Sequence, residues 1–213
     1  MTPVVSIAQI QQALTLQLPG MDAWLRMAPH HRNLVFPEET TPRLAGVLIL
    51  LYPLDDSLHV VLTRRADDLA THKGQISLPG GGLKAGETPV DAALREAHEE
   101  LGIAVDGVTV MGELTPLYIP PSNYLIHPIV AHLPGRPAFA PDPGEVAELL
   151  EVPLSVLFAA DTRVEETWEI RGLPTLVPFY RLAGHKVWGA TAMVLAEFTA
   201  LLETAAHSSS SAP

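Results

Sequence analysis

The chain contains no cysteine. That absence excludes structural disulfides, zinc sites built on thiolates and a thiol nucleophile together. Basic residues are also scarce: 13 Lys and Arg stand against 24 Asp and Glu, a formal net charge of −11. Generic nucleic-acid binding relies on basic surface, so that class is not expected. An anionic substrate must then be met by a local cluster of cations or through a bound metal ion. No continuous apolar run reaches the ~18–20 residues of a membrane span, so no membrane partner is expected. The opening "MTPVVSIAQIQQALTLQLPG" lacks the basic head and apolar stretch of a secretory signal. The closing "SSSSAP" carries no peroxisomal or prenylation address. Without cysteine or signal, the expected compartment is the cytoplasm. No internal repeat is visible.

What is abundant is apolar: 47% of the 213 residues are hydrophobic, enough for one domain with a large core. The expected partition is an N-terminal helix and connector in residues 1–41, the main domain in 42–206 and a disordered tail in 207–213. Ser6 to Leu18 reads as a helix, with a capping-box pair in Ser6 and Gln9 and an apolar face of Ile7, Ile10, Leu14 and Leu18. Two apolar runs, Leu44–Tyr52 and Leu58–Thr63, flank a turn at Pro53–Asp56 and predict a hairpin. "VTVMGELTPLYI" and "YLIHPIVAHL" read as strands joined through Pro120–Asn123. "GEVAELLEVPLSVLF" reads as part helix, part turn, and "TWEIRG", "TLVPFYRL" and "HKVWG" as short strands. "TAMVLAEFTALLETAA" is a closing helix whose face of Met193, Leu195, Ala196, Thr199 and Leu202 is packing material. Helices and strands mix without strict alternation, so the expected class is α/β, a mixed sheet between helices.

One segment demands a chemical reason. "GETPVDAALREAHEELGI" holds Glu87, Asp91, Glu96, Glu99 and Glu100. Thr88 is a good N-cap, Pro89 suits the first helical position, Asp91 favours the positive dipole end and Gly102 suits the residue past the C-terminus. The spacing predicts a helix over Pro89–Leu101 with Val90, Ala93, Leu94, Ala97 and Leu101 inward. Glu96, Glu99 and Glu100 then share neighbouring faces in the half of the helix where negative charge opposes the macrodipole. A solvated acidic face would carry Lys or Arg three or four residues on; here Gly102, Ile103 and Ala104 follow, and no cation partner is expected. Oxygen-only ligands favour Mg²⁺ or Mn²⁺ over zinc.

Gly81, Glu87, Arg95-Glu96, Glu99-Glu100, Gly102 and Ile103 stand at the spacing of the Nudix box, with every fixed position met. The chain resembles a Nudix hydrolase, a family that cleaves nucleoside diphosphates linked to another group and folds as an α/β/α sandwich with a mixed β-sheet. The resemblance implies that Glu96 and Glu100 are the main metal ligands, that Glu99 is a further ligand or the base that activates water, and that the Gly80 carbonyl completes the shell. It implies structural roles for Gly81 and Gly102, and for Glu87, which would pair with Arg95 and hold the loop against the helix. Upstream, "LTRRADDLATHKGQISLPGG" resembles the second signature of the coenzyme A pyrophosphatase subgroup through Leu62, Thr63, Arg65, Ala66, Gly74, Pro79, Gly80 and Gly81. Ala70 departs from an arginine and Leu78 from a phenylalanine. "PPSNYLIHPIVA", "GEVAELLEVPLSVL" and "HKVWGATAMVL" look like the same subgroup, so the resemblance spans roughly residues 42 to 203.

Arg64, Arg65, His72 and Lys73 cluster before the box and are candidate substrate contacts. Glu145, after a Pro-rich loop, is a candidate to reach the attacking water or a second metal, or is simply exposed at a helix start. His98 is a bystander. The leading expectation is metal-dependent hydrolysis of coenzyme A, or its derivatives, to 3′,5′-ADP and 4′-phosphopantetheine. Hydrolysis of another nucleoside diphosphate derivative, such as ADP-ribose or a nucleoside triphosphate, is the alternative; a non-catalytic Nudix ligand sensor and a purely structural acidic helix follow. A homodimer is left open.

Overall fold

The structure, a computed structural model, describes residues 5–30, 34, 40–66 and 74–210. Its centre is the long strand β1 (Arg43–Leu54), which turns through Asp55 and Asp56 into β2 (Ser57–Arg65). Both turn residues have positive φ, 46° and 61°, the geometry of a two-residue hairpin and one that aspartate tolerates. β3 (Ile76–Ser77) pairs with β2, and β4 (Gly80–Gly82) lies back along β1. Helix α3 (Pro89–Leu101) follows, then β5 (Thr109–Glu113), β6 (Leu117–Ile119) and β7 (Tyr124–His132). β7 runs parallel to β1 from Arg43↔Tyr124 to Leu51↔His132, and both β5 and β6 pair antiparallel with β7. The principal sheet is therefore mixed. A second, three-stranded sheet contains β9 (Arg163–Ile170), β10 (Leu173–Leu182) and β11 (His185–Trp188).

Two apolar layers cover the principal sheet. Ile49, Leu51, Val60 and Leu62 face Met193, Phe198 and Leu201 of α4 (Gly189–Ser210), together with α1 (Ile7–Ala13) and α2 (Met21–Trp24). Leu48, Leu50, Tyr52 and Val61 face Ala93, Ala97 and Leu101 of α3. The alternation of β1 puts successive residues on opposite faces, so a continuous apolar run serves both layers. The result is an α/β/α sandwich. α4 is long and apolar enough to cross a membrane by length and composition, but Ala192 to Leu202 are buried against the sheet and the N-terminal helices.

Four expectations require correction. Helix α1 keeps the Ser6–Gln9 capping box but stops at Ala13 rather than Leu18: Leu16 N–H donates to the Ala13 carbonyl in a tighter turn, and Pro19 disfavours helical backbone at Leu18. The stretch expected to be part helix is the strand β8 (Val146–Pro153) followed by a 3₁₀ turn at Leu154–Phe158. β8 pairs along β2 from His59↔Pro153 to Arg65↔Val146, and that partnership outweighs the helical propensity of Ala147, Glu148, Leu149 and Leu150. "VTVMGELTPLYI" divides into β5 and β6. α4 continues to Ser210, so the first residues of the expected tail are helical. The connector expected around residues 30–42 falls largely outside the described residues.

Candidate active site

The site is built where α3 crosses the glycine ribbon of β4. Register places Ala45 opposite Gly82, Gly46 opposite Gly81 and Val47 opposite Gly80. A Cβ at Gly81 would collide with the Glu96 carboxylate and push it aside, whereas a Cβ at Gly46 would meet the helix backbone itself, at the Pro89 carbonyl, so the close approach of α3 depends on glycine at 46. The helix has the predicted bounds. Thr88 Oγ1 accepts from the Asp91 N–H at 3.2 Å while Asp91 accepts from the Thr88 N–H at 2.9 Å. Gly102 ends the helix in the left-handed region at φ 66°.

Arg95 organises the near side. It donates to both Glu87 oxygens at 2.6 and 3.0 Å, to Glu96 at 2.6 Å, to Glu99 at 3.0 Å and to the Gly82 carbonyl at 3.1 Å. Glu87 also accepts from the Lys84 backbone N–H at 2.7 Å. The Arg95 guanidinium, then this amide, hold the Glu87 carboxyl down to about 2. Lys84 Nζ donates to Glu99 at 3.1 Å and, with Arg95, keeps that carboxyl below its ordinary range. The absence of cation partners expected from the sequence is thus corrected. Arg95 reaches Glu99 from four residues before it, and Lys84 reaches it from the loop.

Glu100 differs in kind. Only 2% of it is exposed. It accepts from the Gly80 N–H at 3.2 Å and stands 3.5 Å from Nη1 of Arg65. Burial pushes its carboxyl up to about 7; Arg65 and the Gly80 amide oppose that rise, and the like charges of Glu96 and Glu145 add to it. Glu145 arrives through a strap over the end of α3. Ala140 N–H donates to the Leu101 carbonyl at 2.8 Å and Asp142 N–H to the Glu100 carbonyl at 3.1 Å, satisfying two helix-end acceptors. The Glu145 carbonyl then accepts from Ala66 N–H at 2.9 Å, locking the strap to the end of β2. Glu145 is half-buried and precedes a strand, not a helix as expected.

Of the two described residues expected in the basic cluster, Arg65 meets the buried carboxylate of the site, Glu100. Arg64 is its neighbour on β2 and faces the other way, 3.6 Å from Glu148, which also lies 3.2 Å from His185. His72 and Lys73 lie outside the described residues, as does Ala70. His98 hydrogen-bonds the Ile103 carbonyl at 2.8 Å at the helix end. Lys84 and the strap were missed. Lys84 had a signal in its place inside the box loop; the strap had only its prolines. Among the described residues no three carboxylates or histidines converge into a cage as they stand. The donor chemistry nonetheless suits a hard divalent cation: three carboxylates on one helix, one of them buried with too little positive charge around it.

Fold and site together define a helix-borne carboxylate centre on a mixed-sheet α/β/α sandwich. The NUDIX domain family matches residues 42–170. The chain is 37% identical over 171 residues to Nudix hydrolase 22, chloroplastic, of Arabidopsis thaliana, covering 75% of this chain and 55% of that protein. It is 32% identical over 193 residues to an uncharacterized Nudix hydrolase, NudL, of Photorhabdus laumondii, covering 90% of this chain and 95% of that one. The chain thus spans little more than half the length of the plant relative. A solved Nudix hydrolase from M. smegmatis, RenU, shares the fold at a TM-score of 0.50 and 23% identity, covering 78% of this chain and 87% of that one. The chain belongs to the Nudix hydrolase family.

Proposed function

We propose that the protein is a pyrophosphohydrolase that uses Mg²⁺ or Mn²⁺ to cleave coenzyme A, or derivatives of it, into 3′,5′-ADP and 4′-phosphopantetheine. The observation that carries this reading is the junction of Arg65, Glu100 and Gly80. Arg65 belongs to the upstream stretch that resembles the coenzyme A subgroup, Glu100 to the box, and Gly80 to the ribbon between them. Their contacts join the two stretches, which supports reading them as one site.

Glu96, Glu100 and the Gly80 carbonyl would hold the cation. When bound, it would neutralise charge on the pyrophosphate and lower the pKa of water. The chain's own residues divide the remaining work. Arg65 carries donors toward the same place as Glu100, and a planar guanidinium suits a phosphate oxygen pair. Glu99 is a poor base in this arrangement, because Lys84 and Arg95 engage its two oxygens and depress its carboxyl. Glu145 has no side-chain hydrogen bond or ion pair among the described residues and lies close enough to Glu100 to raise its pKa. It is the better candidate to take the proton of the attacking water. Glu87 and Arg95 hold the loop and do no chemistry.

A substrate panel with each metal, products identified by mass, tests the reading. Coenzyme A should yield 3′,5′-ADP, and Glu145→Gln should lower kcat by about 10²–10⁴-fold, the range of general-base loss. Intact coenzyme A and acyl derivatives beside rapid ADP-ribose hydrolysis would remove the subgroup assignment and leave the family reaction. A full rate from Glu145→Gln would return the base to Glu99.

A further inference from the structure

The turn Pro120–Asn123 and Tyr124 lie in a stretch that resembles the coenzyme A subgroup. In the structure three consecutive residues of that stretch close on Arg43. The Asn123 carbonyl accepts from the Arg43 backbone N–H at 2.9 Å, and the Ser122 carbonyl accepts from Nη2 at 3.0 Å. The guanidinium carbon stands 4.2 Å from the Tyr124 ring centroid. The turn is itself fixed: Asn123 Nδ2 donates to the Thr41 carbonyl at 3.3 Å, and the Tyr118 hydroxyl donates to Asn123 Oδ1 at 3.1 Å. An exposed guanidinium is therefore presented in one orientation. Little side-chain freedom remains to be lost when a ligand binds.

Charge separates Arg43 from its neighbours. Arg95, Arg65 and Lys84 all face glutamates of the site. Arg43 has no carboxylate partner among the described residues; its contacts are two carbonyls and an aromatic face. Its position is also specific. Ala45 pairs with Gly82, and Arg43 stands two residues along the same strand, ~7 Å away. A Cβ at Gly82 would lie 3.2 Å from the Tyr124 hydroxyl, while the Gly82 carbonyl is bound by Arg95. The glycine ribbon thus has the carboxylates on one side and Arg43 on the other. A nucleotide lying across it would offer its pyrophosphate to the first and a second phosphate to the second.

We propose that Arg43, presented by Ser122, Asn123 and Tyr124, binds a phosphate monoester on the ribose of the substrate, distinct from the pyrophosphate that is cleaved. The proposal rests on the nucleotide-pyrophosphatase reading and names the group that selects the substrate. A phosphate dianion approaching a chain of net charge −11 needs such a local cation, and a guanidinium can meet two phosphate oxygens at once.

Titration calorimetry with 3′,5′-ADP and 5′-AMP reads the contact without turnover. Wild-type protein should bind 3′,5′-ADP at least about tenfold more tightly than 5′-AMP, the effect of one charge-assisted contact. Arg43→Gln should erase that difference and leave 5′-AMP binding unchanged. Tyr124→Ala, which keeps the charge but frees the side chain, should reduce the preference part of the way. Equal affinities in the wild type, or a preference that survives Arg43→Gln in a folded variant, overturns the proposal. Coenzyme A hydrolysis measured in parallel separates the two readings. If coenzyme A is not cleaved but Arg43→Gln erases the binding preference, the substrate assignment falls and the phosphate site stands. If coenzyme A is cleaved and the preference ignores Arg43, the reverse holds.

Discussion

Glu100→Gln should stabilise the metal-free protein at alkaline pH while abolishing turnover. The wild-type carboxyl is moved from 4.5 to about 7 chiefly by burial. Between those values the folded protein keeps a proton that the unfolded chain has lost, so stability falls as pH rises, by about 1.4 kcal/mol per unit. Below the unfolded pKa both states are protonated and the penalty is absent. Above the folded pKa it is complete, about 3 kcal/mol. Glutamine keeps the volume and the oxygen facing the Gly80 N–H but has no charge to desolvate. The shift already contains the opposing attraction of Arg65, so removing the charge leaves a net gain of about 1–3 kcal/mol. For a chain of this size that is roughly 2–10 °C in Tm. Thermal unfolding in chelator should show the variant above wild type near about pH 8.5 and level with it near about pH 5. Added Mg²⁺ at free concentration c should then raise the wild type, by RT ln(1 + c/Kd), and raise the variant much less. A variant that is destabilised equally at both pH values would refute the burial argument. An unaltered Mg²⁺ response would refute the role of Glu100 as a ligand.

Gly46→Ala would drive a Cβ into the Pro89 carbonyl and to 2.9 Å from the Ala93 backbone nitrogen. Both obstacles are helix backbone, so α3 must lift; we expect a loss of about 1–3 kcal/mol in urea titration, with activity falling alongside. Glu197→Ala would strand the Gly20 and Thr115 N–H groups, the Thr115 hydroxyl and the Trp24 indole, all now donating to a carboxylate with no exposed surface. A cost of about 3 kcal/mol or more is expected, and Glu197→Gln should be milder. For Glu87 the sign runs the other way from Glu100. Its carboxyl is held down to about 2 from 4.5, so its contribution to stability is present above 4.5 and is lost as pH falls toward 2. Glu87→Gln should flatten that acid limb, read from urea midpoints along the descent.

The sequence was most legible where structure is local. Thr88, Pro89, Asp91 and Gly102 mark the ends of α3 by their own hydrogen-bonding and backbone preferences, and the apolar spacing between them needs no partner to be read. The hairpin of β1 and β2 was legible for the same reason. β8 was not, because the adjacent apolar pairs Val146-Ala147 and Leu149-Leu150 break strict alternation and only pairing with β2 makes the segment a strand. Adjacent residues mislead in the same way elsewhere. Arg64 and Arg65 read as one basic cluster, but a strand turns neighbours to opposite faces, and only Arg65 reaches Glu100. The cations around the glutamates were hidden because Lys84 lies across a loop and Arg95 lies behind Glu99 rather than ahead of it. The strap depends on backbone donors about forty residues from the carbonyls they satisfy, a relation that no local spacing encodes.

The buried carboxylate of Glu197 has a consequence for how the protein is made. Two of its donors, Gly20 and Trp24, precede it by 177 and 173 residues. A ribosome adds roughly 5–20 residues each second, so the N-terminal helices emerge on the order of ten seconds or more before their acceptor exists. Until then Trp24 and Met27, buried in the finished core, have no α4 to pack against. During synthesis this end of the molecule therefore stays without its packing partner until α4 is made. The emergence of α4 then completes the packing of α1 and α2.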